Sequence, residues 1–136
     1  MDIRKINDTL SVSPQICVED VAKIKAAGFV AIVNNRPDGE EAGQPVSADI
    51  EAEAKKQGLP FHFIPVKSAP FDPEMVQKVQ EVLNVYPGPV FFYCRTGTRC
   101  TNLWAISQAG KVPGKEIIKA AFDAGYDIAH LGNQLD

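Results

Sequence analysis

The sequence predicts an α/β fold with a largely parallel central sheet and helices on both faces, and three observations carry that prediction. Strand-like and helix-like hydrophobic patterns alternate from end to end, as they do when strands lie side by side and are joined by crossover helices. The two strongest strand patterns, at residues 29–33 and Val90–Tyr93, are continuous apolar runs, as expected of strands covered on both faces. The length, 136 residues, suits one domain spanning 1–136, large enough to bury about two-thirds of the surface that its unfolded chain would expose.

Leu10-Ser11-Val12-Ser13 alternates apolar and polar and reads as a short opening strand at a sheet edge, ended by Pro14. Val21, Ala22 and Ile24 recur at helical spacing within 18–27, and Gly28 stands where a stop is expected. Cys17, at the start of that helix, has no arginine or histidine beside it and is taken as structural. The run at 29–33 ends in the turn-rich Asn34-Asn35-Arg36-Pro37-Asp38-Gly39, at the carboxyl end of a strand, where open α/β sheets bind ligands; Arg36 is therefore a candidate. Residues 40–46 are acidic and unpatterned, which predicts a mobile flap.

Ser47 is the expected N-cap of a helix that carries Ile50 and Ala54 and stops at Gly58. Phe61-His62-Phe63-Ile64 forms the next strand, with His62 alternating against the apolar residues and read as structural. Asp72-Pro73 opens another helix, Asp as N-cap and Pro in the first turn, and Met75, Val76, Val79, Val82 and Leu83 supply its buried stripe. After Val90–Tyr93 comes a helix with Leu103, Trp104 and Ile106 facing inward, closed by Gly110. A last helix lies within 113–125, and 126–136 reads as a frayed final helical turn or tail.

The chemistry is concentrated in Cys94-Arg95-Thr96-Gly97-Thr98-Arg99-Cys100. A strand that stops at Cys94, a short loop and a helix beginning near Arg99 or Cys100 turn the loop's N–H groups and the helix N-terminus toward one point, a site for an anion. A cysteine at the end of a buried strand is by itself an ordinary core residue. Two arginines and a mid-loop glycine set this one apart: they suit a thiolate at Cys94, with the N–H groups of Arg95, Thr96, Gly97, Thr98 and Arg99 and the side chains of Arg95 and Arg99 holding an anionic substrate against it. Cys100, in a helix start six positions on, is either a packed thiol or a resolving thiol for an oxidised Cys94.

Cys-Arg-Thr-Gly-Thr-Arg resembles the active loop of rhodanese-type sulfurtransferases, which opens on cysteine with glycine in fourth place and often arginine in sixth. It resembles less closely the cysteine-based phosphatase loop, which has five residues between cysteine and arginine; here Cys100 stands at that arginine's position and Tyr93 where a histidine often precedes. Over nearly the whole chain, Ala31-Ile32-Val33-Asn34-Asn35-Arg36, Ile64-Pro65-Val66, the Cys94 loop and Asn102-Leu103-Trp104 resemble the phosphatase-like domain of the beta-lactamase-hydrolase-like proteins. That resemblance implies a tyrosine-phosphatase-like three-layer sandwich carrying a loop of rhodanese length, in a family treated as phosphatase-like or as sulfur transferases, some members being fused to a metallo-β-lactamase-fold persulfide-oxidising domain. By the same resemblance Asp72 is the candidate proton donor to a leaving group, although its capping role already explains it.

Three functions follow. The leading expectation is a sulfurtransferase that takes sulfane sulfur from thiosulfate or a persulfide onto Cys94 and passes it to an acceptor thiol, with Arg95, Arg99 and Arg36 binding the donor's anionic end. The second is a phosphatase acting on a phosphate ester through phosphocysteine, with Asp72 as acid and Arg99 as clamp. The third is a non-catalytic module sensing an anion or redox state. A metallo-β-lactamase-fold persulfide-oxidising enzyme is a partner the resemblance suggests. No cofactor or metal is expected, since Cys17, Cys94 and Cys100 lack ligand spacing with His62 and His130. A net charge of −3 and a pI near 5.4 disfavour nucleic acid, the absence of a long apolar run disfavours the membrane, and three cysteines without a secretory signal suit a reducing cytoplasm.

Overall fold

In the computed structural model, which describes residues 1–135, five strands form one sheet in the order β1-β2-β5-β3-β4. They are β1 (Arg4–Lys5), β2 (Leu10–Ser13), β3 (Ala31–Asn34), β4 (Phe61–Phe63) and β5 (Val90–Tyr93). All neighbours are parallel except β1, which runs antiparallel to β2. The helices are α1 (Asp20–Ala26), α2 (Ser47–Lys56), α3 (Pro73–Val85), α4 (Thr98–Ser107), α5 (Gly114–Asp123) and, after a 3-10 turn at Ala129–Leu131, α6 (Gly132–Leu135).

Side-chain alternation along β5 explains the three layers. Val90 and Phe92 enter a core with Val79 and Val82 of α3, Leu103 and Trp104 of α4, and Ile117 and Ala121 of α5. Phe91 and Tyr93 enter the opposite core with Val21 and Ile24 of α1 and Ile50 and Ala54 of α2. Both faces of the strand are thus apolar, which is why its sequence shows no period. The accessible surface of 7007 Å² equals the roughly 7,000 Å² expected of a folded monomer of this mass.

Register aligns the working edge. Ser13, Tyr93, Asn34 and Phe63 sit level across β2, β5, β3 and β4, so the segments that follow them, with Gln15, Cys94, Arg36 and Val66, emerge side by side at the carboxyl edge of the sheet.

Four expectations are corrected. β2 is an interior strand, with all four residues buried, because the two-residue β1 covers it, and a strand that short carries no periodic signal. Ser47 is the first residue of α2 rather than its cap: its N–H donates to Asp38 Oδ1 at 2.8 Å and its hydroxyl accepts from Asn34 Nδ2 at 3.2 Å. The segment expected to be a loose flap is tied down, since Gln44 Nε2 donates to Pro37 O at 2.9 Å and Glu40 N to Gln44 Oε1 at 3.0 Å. The stretch expected to fray is packed: Ile128, Leu131 and Leu135 are buried, and only Asp136 of that expectation lies outside the described residues. Elsewhere Asp72 caps α3 as expected, accepting Glu74 N at 2.9 Å, with Pro73 in the first turn.

Candidate active site

β5 ends on Cys94, whose N–H donates to Ser13 O at 3.3 Å, and Gln15 N returns a bond to Arg95 O at 3.3 Å, so the neighbouring strand holds the loop's first residues. Gly97 is the N-cap of α4 with φ +89°, a left-handed conformation that glycine adopts without strain. Space demands glycine as well: a Cβ there would collide with the hydroxyl of Tyr126 and lie 2.9 Å from its Cζ. Tyr126 in turn donates to Thr96 O at 3.0 Å, and Arg4 lies over its ring at 5.5 Å. Thr101 Oγ1 donates to Gly97 O at 2.8 Å from inside α4. The loop is braced from both sides.

Cys94 is fully buried, and Gly97 N donates to its Sγ at 3.1 Å. Its pKa is lowered to about 5, chiefly because the Cys100 thiol donates to the sulfur; burial opposes this, and the N–H groups of Cys100, Thr96 and Gly97 assist it. Cys100 is driven the other way by burial and by the adjacent Cys94 charge, so the pair rests as thiolate at Cys94 and thiol at Cys100. The sequence points to the arginines for this shift; its causes here are the second cysteine and the loop N–H groups.

Beside the Cys94 loop, Arg36, Glu40, Glu41, Arg95 and Arg99 line a polar pocket of about 390 Å³. Arg36 is 1% exposed, and its guanidinium donates to Glu40 Oε1 at 2.9 Å, Gln15 Oε1 at 3.1 Å and Glu41 Oε1 at 3.1 Å. Arg99 grips the Glu40 carboxylate with both terminal nitrogens, at 2.8 and 2.7 Å, and donates to Val66 O at 3.0 Å. Arg99 first, then Arg36, holds the Glu40 carboxyl down to about 2. Arg95, Thr96 and Thr98 are exposed at the rim, where Thr96 Oγ1 donates to Thr98 Oγ1 at 3.0 Å.

The structure therefore brings Cys94, Arg95, Thr96, Gly97, Thr98, Arg99, Cys100 and Arg36 together. Asp72 is not among them: it borders the adjacent cleft of Pro65, Val66, Lys67, Ser68, Pro70, Phe71 and Met75, which touches the arginine pocket through Val66. His62 lies apart, its Nε2 2.7 Å from Tyr86 Oη, and burial lowers its pKa. Cys17 is exposed, its thiol donating to Asp20 Oδ2 at 3.3 Å, and Glu19 and Asp20 raise its pKa. Sequence reasoning missed Glu40 and Glu41; the available signal was an acidic loop leaving the carboxyl edge four and five residues after Arg36. Among the described residues no helix is long and apolar enough to cross a membrane.

A three-layer sandwich that presents a cysteine in a strand-loop-helix turn beside arginines has the tyrosine-phosphatase-like fold. Residues 2–111 match the model of the beta-lactamase hydrolase-like protein, phosphatase-like domain, and the chain belongs to that family. It is 32% identical over 126 residues to the beta-lactamase hydrolase-like protein of Agrobacterium fabrum, covering 91% of this chain and 29% of that protein. The Xylella fastidiosa (strain 9a5c) protein of the same name is 31% identical, with 100% of this chain and 32% of the relative covered. The chain thus spans about a third of the length of these curated relatives. A crystal structure of a candidate phosphatase from Neisseria meningitidis Z2491 superposes with TM-score 0.86 at 36% identity, covering 100% of this chain and 97% of the other. Tk-PTP in its active form shares the fold, with TM-score 0.74 at 18% identity, covering 98% and 92%.

Proposed function

We propose that this chain is a cysteine-dependent, phosphatase-like hydrolase of phosphate esters. The observation that carries the reading is Cys94, a buried thiol with its pKa lowered to about 5, whose charge interacts with Arg99 of the pocket that Arg36, Glu40, Glu41 and Arg95 complete. The Cys94 sulfur attacks phosphorus and the ester oxygen leaves with the bonding pair, giving phosphocysteine; water then attacks phosphorus, releasing inorganic phosphate and restoring the thiolate. Catalysis of such a transfer is chiefly positioning and charge stabilisation of the equatorial oxygens. The loop N–H groups and the N-terminus of α4, which has no side-chain cap, face those oxygens, and Arg99 and Arg36 bind them from the side. Asp72, next to the site across Val66, is the candidate donor of a proton to the departing oxygen; in that role it exchanges its bond with Glu74 N for one to the leaving group.

Sulfur transfer is the second reading, favoured by one observation. Four residues separate Cys94 from Arg99, and the next position holds Cys100, a buried thiol that cannot clamp an oxyanion. A shorter loop suits a single transferable sulfur atom. In that chemistry the Cys94 thiolate attacks the outer sulfur of thiosulfate, sulfite leaves, and the Cys94 persulfide yields its sulfane sulfur to an acceptor thiol. A metallo-β-lactamase-fold persulfide-oxidising enzyme is the partner that would consume such a product. Sulfur transfer takes second place because the family and its solved relatives are phosphatase-like. One preparation assayed for aryl phosphate hydrolysis and for thiosulfate consumption, with Cys94→Ser as the blank, separates the two.

A further inference from the structure

We infer that Glu40 is an internal occupant of the anion site, a side chain that an incoming anionic substrate must displace. The inference rests on the anion-binding reading of the pocket above. Both Glu40 oxygens are spent on arginines of the pocket: Oε1 accepts from Arg36 Nε and from one Arg99 nitrogen, and Oε2 accepts from the other Arg99 nitrogen. That is how a bidentate oxyanion sits on paired guanidinium groups.

Charge makes the arrangement a resting state rather than a receptive one. Arg36, Arg95 and Arg99 share the pocket with Glu40 and Glu41, and Arg99 also interacts with the Cys94 charge, so three positive charges already meet three negative ones. A phosphate dianion entering beside Glu40 would leave two uncompensated negative charges in a partly desolvated pocket, where Coulomb repulsion is weakly screened. If Glu40 swings out, the excess falls to one, and neither arginine is stripped of partners. Arg36 keeps Gln15 and Glu41, and Arg99 keeps Val66 O.

The movement asks only for rotation of the Glu40 side chain, since the backbone there is held by the bond from Glu40 N to Gln44 Oε1. The tip of the loop is exposed, while its two ends are pinned, Asp38 to Ser47 N and Pro37 O to Gln44. Glu40, exposed on this fixed loop, carries its carboxylate in or out without disturbing α2.

The test measures how inorganic phosphate protects Cys94 from iodoacetamide, which reads anion binding without requiring turnover. Glu40→Gln and Glu40→Ala are each expected to lower the half-protecting phosphate concentration at least tenfold relative to the unaltered protein. Glu51→Gln, the same charge change on the exposed face of α2, is expected to leave it within twofold. Half-protection unchanged or raised in both Glu40 variants, with circular dichroism like that of the unaltered protein, overturns the inference and makes Glu40 a support for Arg99; absence of protection in every protein overturns it equally. Failure of the hydrolase reading is seen separately, as no aryl phosphate turnover by a protein whose Cys94 phosphate does protect.

Discussion

Removing the Cys100 thiol tests the electrostatics of the site at its strongest point. The Cys94 midpoint of about 5 depends first on the hydrogen bond from Cys100. A hydrogen bond to a charged group is worth about 1.5–3 kcal/mol, so Cys100→Ala should move that midpoint from about 5 to roughly 6–7, at about 1.4 kcal/mol per pH unit. Only the thiolate is alkylated, so iodoacetamide inactivation at pH 5.5 should slow by roughly three- to twentyfivefold, while at pH 8 the two proteins differ little. Cys100→Ser restores an O–H donor and should return the midpoint most of the way, which a purely steric role for Cys100 would not do. The sign for stability follows from the same direction. Folding depresses the Cys94 pKa below the unfolded value near 8.5, so its contribution is complete above that pH and is lost as pH falls toward about 5. An alkylation midpoint in Cys100→Ala within about 0.3 of the unaltered protein would refute the assignment of the shift to the thiol.

Other outcomes follow from neighbouring residues. Gly97→Ala places a methyl against the Tyr126 hydroxyl at a φ that alanine resists, and should cost about 1–3 kcal/mol in urea unfolding together with most of the Cys94 reactivity. Asp72→Asn keeps a good N-cap, so melting should be unchanged; if the carboxyl donates a proton, kcat for alkyl phosphates falls at least tenfold while aryl phosphates with acidic leaving groups are spared. Mild peroxide converts Cys94 to a sulfenic acid, which condenses with the adjacent Cys100 thiol to a disulfide and water; peptide mapping should show the Cys94–Cys100 link before any sulfinic acid appears.

What the sequence disclosed, and what it withheld, divides by distance along the chain. The β3 and β5 runs, the Asp72-Pro73 helix start and the Cys94 loop are local patterns with local causes, and they fall where the pattern places them. Arg36 was reachable because a strand's carboxyl end points at the site whatever its partners are. Glu40 was not, since its meeting with Arg99 spans 59 positions and depends on strand order, in which β3 and β5 become neighbours. Asp38 serves a helix start nine residues away, which no capping pattern encodes, and β1 is too short to show a period. The tail looked loose because Ile128, Leu131 and Leu135 follow no single repeat across a 3-10 turn and a four-residue helix, yet each is buried. The dominant influence on Cys94 was a helix neighbour whose thiol reads equally as packing.

Whether the Cys94 thiolate hydrolyses phosphate esters is decided by kcat/KM for an aryl phosphate and for thiosulfate on one preparation. Aryl phosphate turnover is expected to exceed thiosulfate turnover and to vanish in Cys94→Ser. Thiosulfate turnover at least tenfold faster, about 1.4 kcal/mol in transition-state stabilisation, with a gain of one sulfur atom on Cys94 by mass, would contradict it and establish sulfur transfer instead.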